Sequence, residues 1–491
     1  MTNLATPYLS AIVAIALIAA GIMRCIRTVS VARNIAIASL AGALVLALKV
    51  LREVMSAGGS LIAEQQWNSP MIGPNWFAVD GLSAFLIPLV IALVLITVIA
   101  APRSDADQHF LSAALLIVSA TVAIYSAGNF LIVLAGWVLS MMPFLQRNKQ
   151  EGWSPIARYT ALGSLAALSF GVLLNALLRS HSGTPHPFSM DIAPSNGSVF
   201  VSAALVIAAL LRIGVFPAHR GVIASLSGSG VLLATLLMNG HAGLYLLARS
   251  AVPARAAFPE LLPWIGVLAL ITSLYLAVLG LSEKKPQQIL ATVFVSQTTG
   301  LVAGITSESH EGVTGALLQW IVIAVCSVAL MVVYRGLQLR TSGYLDAGGF
   351  FGLGARTPRL AVIFAVAALA LAGTPGTLGF SGEDLLMHGA LTSHGWFGAL
   401  LPVTLVLNAF HIFKLFARLF MGEPAATLRG VPDALPRERW ALSVCLVLIV
   451  WLGLAPSHAL NLRVGASSII LGTVEKVTVR TLLPPETERR D

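Results

Sequence analysis

The stretch that decides the fold is "LAVIFAVAALALAGTPGTLGFSGEDLLMHGAL" (residues 360–391), an apolar run with a break in its middle. The break contains Gly373, Pro375, Gly376 and Gly379, which interrupt helical hydrogen bonding. At membrane depth, backbone freed in this way is tolerated only where it is buried in protein or lines a wet cavity. The stretch therefore predicts a discontinuous membrane helix inside a bundle.

A second interrupted helix is predicted by "ALLRIGVFPAHRG" (residues 209–221), in which Arg212 sits in an apolar run and Pro217 follows it. A guanidinium in hydrocarbon is costly, so such a residue is a functional candidate by default. Interrupted helices at comparable places in two halves of a chain indicate an ion path in a transporter built from inverted repeats. The interval of about five spans fits a five-helix repeat.

The composition indicates a membrane protein throughout. Of 491 residues, 57% are hydrophobic and 10% charged, whereas a soluble protein carries about 25% charged residues. Many apolar runs are long enough to cross a bilayer. We expect an all-α polytopic membrane protein with about 14 transmembrane helices, two inverted five-helix repeats and discontinuous helices 7 and 12. The predicted spans are 8–23, 34–51, 78–101, 109–126, 128–146, 158–178, 199–216, 229–249, 261–281, 288–305, 312–334, 358–387, 395–420 and 440–456.

Lysine and arginine are distributed unequally between alternate loops. One set of loops carries 18 of them, and the opposite set carries only Arg52, Arg179, Arg249 and Arg255. Positive residues mark cytoplasmic loops, so we expect both termini outside and the chain in the inner (cytoplasmic) membrane. The basic residues do not cluster, which argues against a nucleic acid partner and leaves the lipid bilayer. The first apolar run lacks a basic leader, so we expect it to be retained as a helix.

The three cysteines (Cys25, Cys326 and Cys445) lie in or beside apolar runs and form no CxxC pair. This argues against disulfides, iron–sulfur clusters and a zinc site. The sequence also has no nicotinamide or flavin motif. We therefore expect no cofactor, no metal site and no catalytic residue in this chain.

An ordered set of segments, spread over about residues 75–425, resembles one family. These segments are similar to the antiporter-like membrane subunits of respiratory complex I, an NADH:quinone oxidoreductase. The family also includes Mrp-type cation/proton antiporters and the membrane partner of DAB-type inorganic-carbon uptake systems. The segments are WFAVDGLSAFLIPLVIAL (76–93), GNFLIVLAGWVLSMMPFL (128–145), LLRIGVFPAHRG (210–221), LLMNGHAGLYLLAR (236–249), ILATVFVSQTTG (289–300), LALAGTPGTLGFSGEDLL (369–386) and LNAFHIFKLFARLFMGEP (407–424).

The resemblance implies a row of ionisable groups halfway through the membrane. The fifth-helix glutamate of the family falls on Val138, and its seventh-helix lysine falls on Arg212. Arginine keeps its proton and cannot pass it on as lysine can. An eighth-helix lysine falls on His241, and histidine is a suitable proton relay.

In the second half, the family's helix with two histidines and a lysine falls on Gln319, Ile323 and Ser327, so its ionisable groups are lost. The twelfth-helix acid is kept as Glu383, followed by Asp384. The candidate ion path therefore comprises Arg212, His241, Glu383, Asp384 and Lys414, with helix breaks at Pro217, Gly373, Pro375 and Gly376.

We divide the chain into N-terminal helices 1 and 2 with an outer loop (1–75), a proton-conducting antiporter-like core (76–425), and a last helix with a C-terminal tail (426–491). The favoured function is an ion-translocating, and first of all proton-translocating, membrane subunit of a complex I-like or Mrp-type assembly. Alternatives are the ion-conducting partner of a bicarbonate or CO2 uptake system and a non-conducting scaffold. The partners implied are other membrane subunits and a soluble redox or zinc protein.

Overall fold

The computed structural model describes residues 2–3, 7–69, 73–145, 154–183, 186–192, 197–228, 230–239, 241–342, 344–347, 349–423, 428 and 430–472. Most of this part of the chain is helical. The sequence predicts a mildly polar tail at the outer surface over 457–491, of which residues 473–491 lie outside the described residues. The helices are α1 (Tyr8–Ile22), α2 (Val29–Ser56), α3 (Ser83–Ala100), α4 (Gln108–Tyr125), α5 (Phe130–Leu145), α6 (Pro155–His181), α7 (Ser198–Ile213), α8 (His219–Leu226), α9 (Val231–Asn239), α10 (Ala242–Ala257), α11 (Leu261–Leu279), α12 (Pro286–Thr306), α13 (His310–Arg340), α14 (Pro358–Leu371), α15 (Leu378–His394), α16 (Leu400–Phe420), α17 (Pro436–Leu454) and α18 (Pro456–Leu471).

A small β-sheet follows α2, and the expectation of an all-α chain is wrong here. Strands β1 (Thr2–Asn3), β2 (Ile62–Ser69) and β3 (Gly73–Val79) pair in the order β1-β2-β3. β2 and β3 are antiparallel, with Ile62 opposite Val79. The sheet satisfies backbone groups of a segment that is too polar to enter the membrane. We call the end of the bundle that carries it the sheet end.

By length and hydropathy alone, fewer than fourteen of the described helices could span a membrane. Among the described residues, nine helices qualify, or ten if α17 and α18 count as one bent span. α17 and α18 meet at an angle of 92°. Four shorter apolar helices, among them α7 and α14, fall below the length criterion. The structure is thus a polytopic helical bundle with about nine to ten candidate spans.

Three interruptions of the bundle lie near its polar residues. α7 ends at Ile213, and Gly214 adopts a left-handed conformation (φ +95°) before α8 begins. α14 and α15 are separated by residues 372–377, in which Gly373 has φ +64°. The third interruption, between α9 and α10 at His241, divides the predicted span 229–249 and was not expected from the sequence.

α13 is the centre of the bundle. Its 31 residues form one uninterrupted helix, and its apolar window is completely buried. It packs against α9, α12, α14, α15, α17 and α18. A helix without an exposed face can bring side chains from both halves of the chain to a common interior.

At the sheet end, Glu64 on β2 caps the start of α1. Its carboxylate accepts the backbone N–H groups of Leu9 and Ser10, the latter at 3.1 Å. The Glu64 side chain is almost fully buried. Burial raises the pKa of this carboxyl above its ordinary value, and the two backbone hydrogen bonds oppose the rise.

We predict that the contribution of Glu64 to the free energy of unfolding declines as the pH rises. The unfolded chain loses the Glu64 proton first, so the contribution of this group to stability is full below its ordinary pKa and declines as the pH passes toward the folded value. The thermal unfolding temperature of the protein in detergent, minus that of Glu64→Gln, should therefore fall as the pH rises above about 4, the ordinary pKa of a glutamate side chain. A pH-independent difference would contradict this assignment.

Candidate ion-translocation site

Arg212 lies in the last turn of α7 and is held by two side chains of α5. Its Nη2 donates a hydrogen bond to Ser140 Oγ (2.8 Å), and its guanidinium carbon lies 5.1 Å from the centre of the Trp137 ring. Such cation–π contacts are favourable where water is excluded. Val138, which the sequence comparison places opposite Arg212, is 39% exposed. The residue that faces the arginine is therefore Ser140.

Arg212 also borders a small cavity. This cavity, of about 30 Å³, lies among α6, α7, α8 and α9, and Thr160, Gly221 and Ser225 are also among its lining residues. A space of this size can hold an ordered water. Within the described part of the chain, Arg212 Nη1 is buried and has no hydrogen-bond partner. The arrangement suits a fixed charge with one polar contact and room for a water beside it.

We predict that Ser140→Ala destabilises the protein by about 1–3 kcal/mol, because it leaves a buried N–H of Arg212 without a partner. Thermal unfolding in detergent measures the loss. The matched control is Ser250→Ala, since Ser250 is also buried and its hydroxyl donates to the Leu247 carbonyl of its own helix (3.2 Å). Equal losses in both variants would argue against a role of Ser140 in holding Arg212.

Glu383 lies in the second turn of α15, directly after the break between α14 and α15. Its Oε1 accepts a hydrogen bond from Gln319 Nε2 on α13 (3.1 Å). Its Oε2 packs against Gly373, where an added Cβ would lie 2.0 Å away. No lysine or arginine among the described residues forms an ion pair with this carboxylate. Glu383 is thus a partly buried acid with a neutral partner.

We predict that Gly373→Ala displaces the Glu383 carboxylate and destabilises the protein more than Gly376→Ala does. Both glycines have positive φ (+64° and +86°), so alanine at either position costs about 1–2 kcal/mol in backbone strain. Only at Gly373 does the new methyl group also collide with the carboxylate, because Gly376 has open space around it. Thermal unfolding in detergent compares the two, and equal losses would contradict this contact.

His241 contacts α13 at the residue next to the partner of Glu383. It forms the start of α10 in a left-handed conformation (φ +40°), is 6% exposed, and its ring lies 5.7 Å from that of Trp320. Trp320 directly follows Gln319, the partner of Glu383. Two consecutive residues of α13 therefore contact the two ionisable groups. Elsewhere, an added Cβ on Gly243 would lie 3.1 Å from Arg212 Cβ, so α10 also packs closely against Arg212.

An ion pair at the sheet end was not identified from the sequence, which counted Arg249 among loop residues. Arg249 lies inside α10 and forms a bidentate pair with Asp80, with Nη2–Oδ1 at 2.8 Å. Its Nε donates to the Tyr245 hydroxyl (2.9 Å), which donates to the Tyr125 carbonyl (2.7 Å). Removal of one partner of such a pair typically costs about 3–5 kcal/mol. The only signal of this ion pair in the sequence was Asp80 itself, an acid in "VDGLS" (79–83) next to a helix start.

Two predicted path residues lie on exposed faces. The Asp384 side chain is 51% exposed and lies 3.7 Å from His388, one turn further along α15. Lys414 on α16 is exposed, with Nζ 5.8 Å from the centre of the Phe410 ring. The structure places neither of these side chains against the Glu383 carboxylate. Pro217 lies in the exposed turn between α7 and α8.

No group of three or more His, Cys, Asp or Glu side chains that could hold a metal ion occurs in the part of the chain that the structure describes.

The fold and these buried groups define a class, namely polytopic membrane proteins with discontinuous helices that carry ionisable side chains. The family described as "NADH:quinone oxidoreductase/Mrp antiporter, TM" matches residues 130–408, which is more than half of the chain. The chain therefore belongs to this family.

Curated relatives agree with the family. The chain is 28% identical over 423 residues to NADH-quinone oxidoreductase subunit 13 of Thermus thermophilus, covering 82% of this chain and 86% of the relative. It is 25% identical over 401 residues to NADH-quinone oxidoreductase subunit M of Rickettsia bellii, covering 78% and 80%.

Solved structures show the same fold. A chain of respiratory complex I from Thermus thermophilus superposes with a TM-score of 0.81 at 23% identity, covering 94% of this chain and 100% of that one. A chain of the Mrp complex from Dietzia sp. gives a TM-score of 0.79 at 19% identity, covering 94% and 97%. The resemblance to complex I and Mrp subunits is thus confirmed.

Proposed function

We propose that this chain is a proton-translocating membrane subunit of a multi-subunit complex I-like or Mrp-type assembly. The observation that carries the proposal is Glu383, a partly buried carboxylate at a helix break with a neutral hydrogen-bond partner. Membership of the NADH:quinone oxidoreductase/Mrp antiporter family supports it. The relatives named above are subunits of complex I, and the solved neighbours include an Mrp complex, so they do not favour the inorganic-carbon alternative.

The surroundings of Glu383 suit a group that changes its protonation state. An adjacent lysine or arginine would hold the carboxylate ionised. Gln319 can instead donate to the ionised form through its N–H or accept from the protonated form through its carbonyl oxygen. That oxygen is buried and has no partner among the described residues. The Gln319 amide can therefore form a hydrogen bond with either protonation state of Glu383.

Arg212 stands at the position of the family's seventh-helix lysine, but we infer that it acts as a fixed positive charge and not as a proton relay. An arginine stays protonated and cannot release a proton to a neighbour. Its contact with Ser140 contains no carboxylate that could open and close an ion pair. We infer that Arg212 sets the electrostatic potential near His241, while His241 and Glu383 carry the proton. Asp384 and Lys414 lie on exposed faces, and the proposal gives them no part in the buried path.

The finer architecture remains part of the proposal. We propose that the four shorter apolar helices (Tyr8–Ile22, Phe130–Phe144, Ser198–Ile213 and Pro358–Leu371) also cross the membrane and, with the ten longer candidates, make fourteen spans. We further propose that these spans include two inverted five-helix repeats. With both termini outside, the sheet end faces away from the cytoplasm. We propose the bacterial inner membrane as location, no cofactor in this chain, and other membrane subunits and a soluble redox protein as partners.

The test is proton flux in proteoliposomes that contain the assembled complex, followed with a pH-sensitive dye. We expect Glu383→Gln to reduce flux by about 100-fold, the scale of losing a positioned proton-transfer group. The control is Asp384→Asn, which removes the neighbouring exposed acid and should leave flux unchanged. If Glu383→Gln conducts as the wild type does while the complex is fully assembled, the chain is a scaffold and the proposal is wrong.

A further inference from the structure

Three arginines come together at the end of the bundle opposite the sheet. α2 leads into the sheet and α3 leaves it, so the start of α2 and the end of α3 lie at this opposite end. Here Arg33 of α2 donates from Nη2 to the carbonyls of Ile99 (2.7 Å) and Ala101 (3.2 Å) at the end of α3. Arg103 follows Ala101 by two residues, and Arg437 lies in the first turn of α17, which also packs against α3. Both guanidinium groups lie close enough to repel that of Arg33, and we call the three residues the arginine cluster.

No acid forms an ion pair with the arginine cluster within the residues that the structure describes. The acids next to it in the sequence have other partners. Asp105 accepts from Nε of Arg335 (2.7 Å), and Glu438 accepts from Nη2 of Arg340 (2.5 Å). In the same part of the chain, Arg437 Nε is buried without a hydrogen-bond partner, and a positive charge in the first turn of a helix opposes the helix dipole. The cluster is therefore a positive site that an anion would stabilise.

An exposed apolar face begins at the arginine cluster and extends along α17. Val444 and Trp451 follow Arg437 by seven and fourteen residues, so they lie on the same face of the helix, and both are more than half exposed. Fourteen residues of helix extend about 21 Å, which exceeds half of the ~30 Å hydrocarbon core of a bilayer. On α3, against which α17 packs, Leu95 and Ile99 are half-buried and one turn apart. The cluster therefore lies at one end of an apolar surface that is long enough for one leaflet.

We propose that the arginine cluster binds the phosphate of an anionic phospholipid whose acyl chains lie along α17. α2 and α3 are candidate spans, so a cluster at their ends lies at the depth of lipid headgroups. Guanidinium groups bind phosphate oxygens through paired hydrogen bonds, and basic sites between membrane helices bind such headgroups. An acidic segment of a neighbouring subunit would match the charge but not the apolar face, whereas a lipid matches both. The inference goes beyond the proposed function and does not depend on proton conduction.

The first experiment tests the headgroup and the place of binding. The assembled complex is reconstituted into phosphatidylcholine vesicles that contain a small fraction of phosphatidylglycerol with a photoreactive diazirine in its acyl chain. After illumination, mass spectrometry measures labelling of the tryptic peptide 440–463, which carries the exposed face of α17. We expect labelling several-fold stronger than with a phosphatidylcholine probe of the same chain, because only phosphatidylglycerol has a net negative charge. Equal labelling by the two probes overturns the proposal.

The second experiment tests the arginines. Arg437→Gln should reduce labelling of this peptide about fivefold, the scale of one positive charge near a membrane surface, and Arg437→Lys should retain most of it. The matched control is Arg356→Gln, which should change nothing, since Arg356 is an exposed arginine just before α14 at the same end of the bundle. If Arg437→Gln fails to assemble, Arg103→Gln in the exposed loop gives the same test. Unchanged labelling in the cluster variant, or an equal loss in Arg356→Gln, overturns the proposal.

A third experiment separates a lipid from other occupants. Inorganic phosphate is added to the wild-type complex and compared with sodium chloride of equal ionic strength, which screens surface charge to the same extent. We expect phosphate to reduce labelling by phosphatidylglycerol no more than chloride does. Selective loss in phosphate shows a site for the free anion and overturns the assignment to lipid. Absence of labelling by both probes in the assembled complex shows that a neighbouring subunit covers this face, which overturns it as well.

Discussion

The constraint on which the structure depends is that polar groups inside a membrane protein need partners within the protein. α13 meets it for both halves of the chain, because it is a long buried helix without an exposed face. Its consecutive residues Gln319 and Trp320 contact Glu383 and His241, respectively. At the break between α14 and α15, Gly373 packs against the Glu383 carboxylate, whereas Pro375 and Gly376 are exposed.

The polar groups are separated into two kinds by their partners. Asp80 and Arg249 neutralise each other, and their bidentate geometry supplies strong hydrogen bonds in addition to charge. Glu383 and His241 have neutral or aromatic partners instead. A group without a counter-charge changes its protonation state at lower cost than a paired one. The paired groups suit a closed wall, and the unpaired ones suit a relay.

The sequence predicted the class of fold and the breaks, but it did not predict the contacts. The sequence could link Glu383 to the break at Gly373. Glycine and proline at membrane depth free backbone groups, which is tolerated only where the backbone is buried in protein or lines a wet cavity. Ser140 could not be identified, since the family comparison pointed to Val138 and serine is common in membrane helices. Arg249 was counted as a loop residue because an arginine near a helix end usually reaches the interface. Only its ion pair with Asp80, just before α3, shows that the guanidinium is held within the bundle.

The break at His241 shows why the spans alone did not define the path. A continuous helix through residues 229–249 would leave no special place for the histidine, and its apolar pattern suggests nothing else. In the structure α10 starts afresh at His241, so that its face carries Tyr245 and Arg249 in line toward the sheet end. The same break lets Gly243 approach the stem of Arg212. The fixed charge of α7 therefore lies close to the start of α10, whose face carries Tyr245 and Arg249.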